Sequence, residues 1–557
     1  MDTKYYDTII IGSGAGGLSA AICLAKEGQK VLVLEQHDVP GGWCHSFYLN
    51  GHRFTPGVHY IGQLDRGEST RVLYEGLGIA NDLVFFKMNK DSYEHLHMGE
   101  DRFDFPSNFD DLVKKLTERF PEEKKGITTY LNLVRNVSRQ LQLLPKLRTF
   151  WERLFIPFRT KQMGKYGLFS LRRVIDWHLK NPKLKKILNV QIGDHGLPPR
   201  QASFPLHCAV MDHYFQGGYY PMGGGGAIIK AMTSYIKKYN GEVKTNAKVK
   251  SILLEGTKSK RAIGVELANG EKMFAKQIIS NADPDITYRK LIGESNLSKK
   301  LLKKINKTKY SCTSLMLFLT VDMDVQKAGL DSGNIWFMED GDLDEVYGNL
   351  QKPTIEEGEI FGGMFLSCTT LKDPASFDGK HHTLEAITYI NYEPFKKFEG
   401  EGVERSTAYL AFKERLSKKM LATVEKIVPG ISNHIVHQEL GTPITNQYYI
   451  NATNGSVYGT EKSLRQIGPF AFKPKSEIEN LYLCGASIVS HGIAGASYSG
   501  VQTAGVILGK HQDDLIKPDP DQSLRIFDAE DNSEYPDWML KKLEIRRARL
   551  LNARTIK

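Results

Sequence analysis

YDTIIIGSGAGGLSAAICLAKEGQKVLVLE, Tyr6 to Glu35, decides the fold of this 557-residue chain. Thr8 to Ile11 is a short apolar run of the kind buried on both faces of a parallel sheet. Gly12-Ser13-Gly14-Ala15-Gly16-Gly17 supplies G-x-G-x-x-G, Leu18 to Lys26 continues as a helix, Gly28 ends it, and Val31 to Leu34 forms a second strand. Each glycine answers a physical need. Gly12 makes the turn, Gly14 lets backbone approach a pyrophosphate, and Gly17 permits close helix–strand packing. The helix N-terminus faces the phosphates with free N–H groups and a partial positive charge. Glu35, at the end of the second strand, is placed to accept hydrogen bonds from ribose hydroxyls. A lone GxGxxG is only a glycine turn. With strands, helix and acid at these offsets it is a dinucleotide-binding βαβ unit.

The next stretch, PGGWCHSF from Pro40 to Phe47, puts twin glycines, an indole, a thiol and an imidazole side by side. Cys44 and His45 suggest a nucleophile with its base, half of a metal site, or a wall. No second ligand cluster has metal spacing, so no metal is expected. Adjacent residues on an extended segment point to opposite faces, which separates Trp43 and His45 from Cys44. A cofactor wall remains, with Gly41 and Gly42 giving a nucleotide its close approach.

The bulk numbers bound the rest. The length exceeds what one core sustains, so two domains are expected. The composition, 41% hydrophobic and 25% charged, is that of a globular protein rather than a disordered one. Six scattered cysteines form no CxxC pair, which excludes a zinc ribbon, gives no disulfide framework and points to a reducing compartment. The opening MDTKYYDTIIIG has no secretory-signal pattern. Leu481 to Gly509 lacks Asp, Glu, Lys and Arg, but six glycines and several serines break it up, and it is rejected as a membrane span.

Beyond the first motif, the chain resembles the glutathione-reductase-like flavoproteins of the amine oxidase and phytoene desaturase group. The twin glycine after Glu35 is one feature. Gly217 to Gly256, GGYYPMGGGGAIIKAMTSYIKKYNGEVKTNAKVKSILLEG, looks like their second block, with Val249 placed at the adenine side of FAD. A hairpin then runs to Asn281-Ala282-Asp283-Pro284, a strand end beside the cofactor. IENLYLCGASIVSHGIAGASYSGVQTAGVILG resembles the carboxy-terminal FAD motif, with a strand ending at Gly485 and a helix beginning near Ala494. Such a helix N-terminus stabilises negative charge on a reduced flavin. The resemblance implies an α/β chain with a discontinuous FAD-binding Rossmann domain (1–65, 217–290 and 470–511). An α+β substrate domain (66–216 and 291–469) is inserted in it, and a linker and helix come last (512–557). The implied cofactor contacts are Gly12, Ser13, Gly14, Ala15, Gly16, Gly17, Glu35, Gln36, Gly41, Gly42, Trp43, His45, Val249, Asn281, Ala282, Gly485, Ala486, Gly492 and Ala494. FAD is expected to be held non-covalently, because Cys484 reads as a core thiol. No second GxGxxG domain is visible, so a diffusing NAD(P)H is a candidate reductant.

GGWCHSFYLNGHRFTPGVHYIG and TPITNQYYINATNGSVYG look like stretches of the retinol saturase-like branch, the all-trans-retinol 13,14-reductases. Trp43, where that branch carries a small residue, is a departure, and SHGIAGASYSG looks closer to bacterial desaturases. The branch implies a reductase that passes hydride from reduced flavin to a conjugated polyene while an acid protonates the adjacent carbon. Candidates for the acid are His59 (first choice), Tyr60, His491 and Tyr498; a tyrosine would need a polarising neighbour. The alternatives are a carotenoid desaturase or cis–trans isomerase and, in another class, a flavin-free lipid carrier built like GDP dissociation inhibitors.

The net charge of +10 is regional: Arg135 to Val190 carries 14 Lys or Arg against Glu152 and Asp176. Within it Leu143, Leu144, Leu147, Trp151, Leu154 and Phe155 recur at helical spacing among basic residues. This is read as a basic helical insert (135–190) lying on an anionic membrane surface, a peripheral association on the cytoplasmic side. Nothing resembles a nucleic-acid recognition motif. The tail reads as an acidic linker over 511–537 and a basic helix from about Trp538, free to dock on the body or on a membrane.

Overall fold

A computed structural model of the chain describes residues 5–149, 152, 155–257, 259–349, 352–355, 357–400 and 404–555. Its first sheet has the order Val249–Glu255, Arg261–Leu267, Lys272–Ser280, Tyr5–Ile11, Val31–Leu34, Glu242–Lys244, and Leu481–Leu483 pairs along the end of Lys272–Ser280. Tyr5–Ile11 is parallel to both neighbours and is buried on both faces, as its apolar run requires. The register brings four strand ends level. Ile11 pairs with Leu34 and with Ser280, and Ser280 pairs with Leu483. The residues after these strand ends, Gly12, Glu35, Asn281 and Cys484, therefore stand together at one edge, where open α/β sheets place their ligands.

Helix Ala15–Lys26 is buried almost all round because its residues are mostly small. One side packs on the sheet and another on helix Gly492–Leu508, where backbone approaches backbone. Leu73, Tyr74, Leu77, Ile79 and Leu83 share this core, so the stretch after residue 65 packs on the cofactor side of the molecule.

A second seven-stranded sheet has the order Ile435–Gly441, Thr313–Val321, His382–Ile390, Gly363–Cys368, Asn334–Met338, Glu94–Met98, Asp101–Phe105. Parts of the chain on either side of the second cofactor block meet in it, Glu94–Met98 lying parallel to Asn334–Met338.

The basic insert is helical but is not one amphipathic helix. Helix Lys124–Leu143 stops before Pro145, and short helices Ile156–Arg159, Lys161–Tyr166, Leu171–His178 and Pro182–Ile187 come after it. Pro145 removes a donor and turns the chain, which breaks the helical stripe. Leu147 is buried and Phe155 is exposed, so the two are not equivalent; Trp151 and Leu154 lie outside the described residues. Helix Asp537–Thr555 docks on the body, with Met539 and Leu543 buried against a small core that includes Phe86 and Met222. Ahead of it Arg525–Asp528 adds in parallel to Val84–Lys87. Among the described residues no helix is long and apolar enough to cross a membrane.

Candidate active site

The strand-end edge opens into one cavity of about 1540 Å³, above the ~300–1,000 Å³ usual for a small-molecule pocket. Of the expected cofactor contacts, all but Gly17 and His45 line it, and so do His59, Tyr60, His491 and Tyr498.

Helix Ala15–Lys26 begins at Gly14 and helix Gly492–Leu508 at His491, and neither start is capped by a side chain. Two sets of free N–H groups therefore face the same cavity, each suited to an anionic or electron-rich group. The glycines leave the room. A Cβ on Gly14 would stand 2.7 Å from Asn281 Nδ2, and one on Gly16 would stand 2.9 Å from both Ala496 O and Gly485 Cα. The first and third glycine-rich blocks thus close around Asn281, whose backbone N–H donates to Ile11 O at 2.8 Å. Gly17 serves packing: its Cβ would lie 2.3 Å from Gly12 O.

Glu35 accepts from Ser13 N at 3.0 Å, Ser13 Oγ at 2.5 Å and His37 N at 3.0 Å. Ser13 Oγ in turn accepts from Gly41 N at 3.0 Å, so the acid ties the first glycine loop to the twin glycine. A Cβ on Gly42 would touch Gly14 Cα at 3.5 Å. His45 departs from the expectation. Gly42–Cys44 is a 3₁₀ turn rather than extended chain, so alternation fails: Trp43 and Cys44 both line the cavity. The His45 ring turns to Gly42 O, donating from Nδ1 at 2.6 Å, and burial lowers its pKa. Cys484 is buried, its thiol pushed up by burial and donating to Asn281 Oδ1.

These features fit a dinucleotide: an uncapped helix start, a glycine cradle that a methyl group would fill, and an acid at the second strand end. Among the described residues no group of three His, Cys, Asp or Glu is placed to hold a metal ion.

Beyond the cradle the second sheet roofs the cavity with Met316, Trp336, Phe365, Ile387 and Tyr389, and Tyr60, Tyr214 and Tyr458 complete an aromatic wall. Tyr60 stacks on Tyr214 at 4.1 Å between centroids. The four expected acids now differ. His59 donates from Nδ1 to the buried Glu385 at 2.9 Å. Tyr60 donates to Asp194 at 3.0 Å. His491 is held neutral, burial dropping it to about 3. Tyr498 spends its proton on Ser69 O at 2.8 Å.

Three groups near these residues have no sequence motif. Asp194 lines the cavity, pushed up to about 7 by burial and by the charge of Glu94. Lys462 lines it too, donating to Ala486 O at 2.6 Å, and burial pulls it down to about 7. Lys372, fully buried and likewise drawn down to about 7, donates to His59 O at 2.9 Å and Ser367 Oγ at 2.6 Å. Only the fold brings them here.

The flavin containing amine oxidoreductase family model matches residues 15–508. All-trans-retinol 13,14-reductase of Danio rerio is 31% identical over 528 residues, covering 91% of this chain and 86% of that protein. Chloroplastic prolycopene isomerase of Arabidopsis thaliana is 28% identical over 522 residues, covering 90% and 82%. Among solved structures, putrescine oxidase bound to putrescine shares the fold with a TM-score of 0.59 at 15% identity, covering 91% of this chain and 99% of that one.

Proposed function

Because the chain belongs to the flavin containing amine oxidoreductase family, we propose that it holds FAD non-covalently and saturates a carbon–carbon double bond of a hydrophobic conjugated polyene. The observation that carries this reading is a single continuous cavity. At one end are two uncapped helix starts and a glycine cradle; at the other is an aromatic wall. Glu35 would accept from the adenosine ribose, the N–H groups at Ala15 and Gly16 would take the pyrophosphate, and the start of Gly492–Leu508 would meet the flavin ring. FAD supplies hydride transfer when bound and reduced, with a diffusing NAD(P)H as electron source. The chain's own residues orient the polyene, exclude water and deliver a proton. His59 and Tyr60, oriented by Glu385 and Asp194, would border the reacting bond.

Relatives named retinol reductases and relatives named prolycopene isomerases both cover about nine-tenths of this chain. Isomerisation of a polyene is therefore the second reading. Purified protein is expected to be yellow and to release FAD on heating. Reduced anaerobically and given all-trans-retinol, it is expected to yield a product with two more hydrogen atoms by mass spectrometry. A product of unchanged mass from a poly-cis carotene, with no saturation, would favour the isomerase. A colourless, flavin-free protein would leave a lipid carrier.

The cavity's outer wall includes Leu144, Lys146, Met163, Leu168, Phe470 and Val489. Leu168 in that wall is 80% exposed, and Phe158 in the same basic insert is 79% exposed. We propose that this rim rests on an anionic membrane surface at the cytoplasmic side and that polyene reaches the cavity from the bilayer. Phe158→Asp with Leu168→Asp removes two apolar side chains worth about 1.5–3 kcal/mol each when buried. Sedimentation with phosphatidylserine-containing vesicles is expected to weaken at least a hundredfold. Unchanged binding by the double variant would remove the rim from the membrane.

A further inference from the structure

Asp194 occupies a place that no motif announces. It is part-exposed, and what it faces is the cavity. Four other acids touch this cavity: Glu35, Glu68, Asp283 and Asp513. Glu35 is engaged by Ser13 and His37. Asp283 accepts from Thr453 N, Thr453 Oγ1, Tyr310 OH and Ile286 N. Glu68 and Asp513 belong to the starts of helices Ser69–Leu77 and Gln512–Leu515.

Asp194 also touches both cofactor-side segments. Tyr60, in the stretch after the twin glycine, donates to its Oδ2 at 3.0 Å. His491, at the start of helix Gly492–Leu508, lies near its backbone. With Oδ2 occupied by the tyrosine, Oδ1 is left to carry a transferable proton.

Behind it stands a second carboxyl group. Glu94 is fully buried and does not line the cavity, accepting from Trp336 Nε1 at 3.0 Å and Gln191 Nε2 at 3.2 Å. The Tyr60 hydroxyl lies within reach of both acids. The charge of Glu94 beside Asp194 disfavours ionising both, so the pair holds a proton more firmly than an isolated carboxyl would. Each is pushed up to about 7, burial being the largest cause for both. The other titratable groups facing Asp194 are neutral there. Tyr214, Tyr347, Tyr389 and Tyr458 keep their protons because burial raises them. His491 is neutral because the same burial lowers it. Lys372 acts on Glu94 from its far side, favouring ionisation of the deeper acid.

We propose that Asp194 is the catalytic acid of this site, giving its proton to a substrate carbon, with Tyr60 as its positioning residue and Glu94 as the buried partner that shares the proton. The proposal rests on the polyene reading above. In that reaction one carbon of the double bond receives hydride from reduced flavin. The displaced π pair forms a C–H bond at the adjacent carbon with the proton of Asp194. The O–H bond breaks, Asp194 is left ionised, and the flavin is left oxidised by two electrons. The next proton comes from water to Asp194, the member of the pair that faces the cavity.

Asp194→Asn keeps the shape and still accepts from Tyr60. In the FAD-loaded, dithionite-reduced full-length enzyme with all-trans-retinol, it is expected to lower the saturation rate ~10²–10⁴-fold, with flavin content unchanged. The unmodified enzyme should lose rate as pH rises through about 7, the Asn variant should lose that limb, and Asp194→Glu should restore part of the rate with it. A second readout needs no turnover. Infrared titration of the unmodified FAD-loaded enzyme should show a protonated-carboxyl band that disappears through the same pH range, weaker in Asp194→Asn and Glu94→Gln. Wild-type rate and pH profile in Asp194→Asn, or loss of the pH limb in His59→Gln instead, would overturn the assignment. So would the absence of any protonated carboxyl at pH below 7, which is decided on the unmodified enzyme even if the variants fold poorly. If the unmodified enzyme converts no polyene, the function proposed above fails, while the infrared titration still decides whether Asp194 holds the proton.

Discussion

Gly500→Ala is expected to yield a protein that retains little flavin. The methyl carbon would stand 2.0 Å from Gly16 O and 2.9 Å from Ala20 N, atoms of a helix backbone that has no rotamer with which to yield. Helix Ala15–Lys26 must move away from Gly492–Leu508, and the two uncapped starts of these helices are what converge on the cofactor cavity. Overpacking a rigid contact costs about 1–3 kcal/mol and sometimes more, and backbone against backbone belongs at the upper end. A displacement of ångström scale also shifts the free N–H groups at the helix starts away from the flavin cofactor, so binding suffers beyond stability. The ratio of flavin to protein absorbance after purification measures this directly. Gly509→Ala is the control: it forces a left-handed φ of +64° on a side chain, but nothing lies within 4 Å of the added carbon. It should cost about 1 kcal/mol and leave the protein yellow. Full flavin content in Gly500→Ala would mean that the two helices are free to part.

Gly500 illustrates what the sequence makes legible. Tyr6 to Glu35 can be read because strand, turn, helix and strand are local neighbours whose spacing is itself the structure. The other two glycine-rich blocks can be assigned to the same cradle by resemblance, and the register of Ile11, Leu34, Ser280 and Leu483 places their strand ends together. His45 is misplaced by a local rule applied in the wrong conformation: side-chain alternation holds for extended chain, and Gly42–Cys44 is a 3₁₀ turn. The apolar stripe of the basic insert runs across Pro145 for a similar reason, since spacing alone does not show where a helix stops.

The acids at the far end of the cavity carry no signal. Asp194 is 134 residues from Tyr60, and Glu94 reaches the site because its strand pairs with Asn334–Met338. Neither separation has a periodicity to read. The polarising neighbour that a tyrosine at position 60 requires is a chemical expectation with no address until the fold supplies one.

The same kind of long-range junction underlies the largest stability effect. Asp373 is fully buried, and its Oδ2 accepts from Arg53 Nη2 at 2.5 Å and from Gly223 N at 2.8 Å. Arg53 sits on strand His52–Phe54, between the twin glycine and His59, while Gly223 belongs to the glycine turn before helix Gly225–Lys238. One carboxylate of the substrate half thus fastens two cofactor-side segments, and its charge keeps the largely buried Arg53 guanidinium protonated more firmly than usual. Asp373→Ala leaves a largely buried cation and two backbone N–H groups, those of Gly223 and Ala375, without their partner. Breaking a buried pair from one side costs about 3–5 kcal/mol, and each orphaned N–H adds about 1–3 kcal/mol. That sum is a large part of the ~5–15 kcal/mol by which domains are stable. Chemical denaturation is expected to show a loss of at least ~3 kcal/mol. Arg53→Met with Asp373→Leu removes both charges and should recover most of the ion-pair part, because well-packed apolar replacements of buried pairs are often neutral. It should not recover the Gly223 and Ala375 part. A double variant as unstable as Asp373→Ala would place the cost in the orphaned N–H groups rather than in the unpaired arginine.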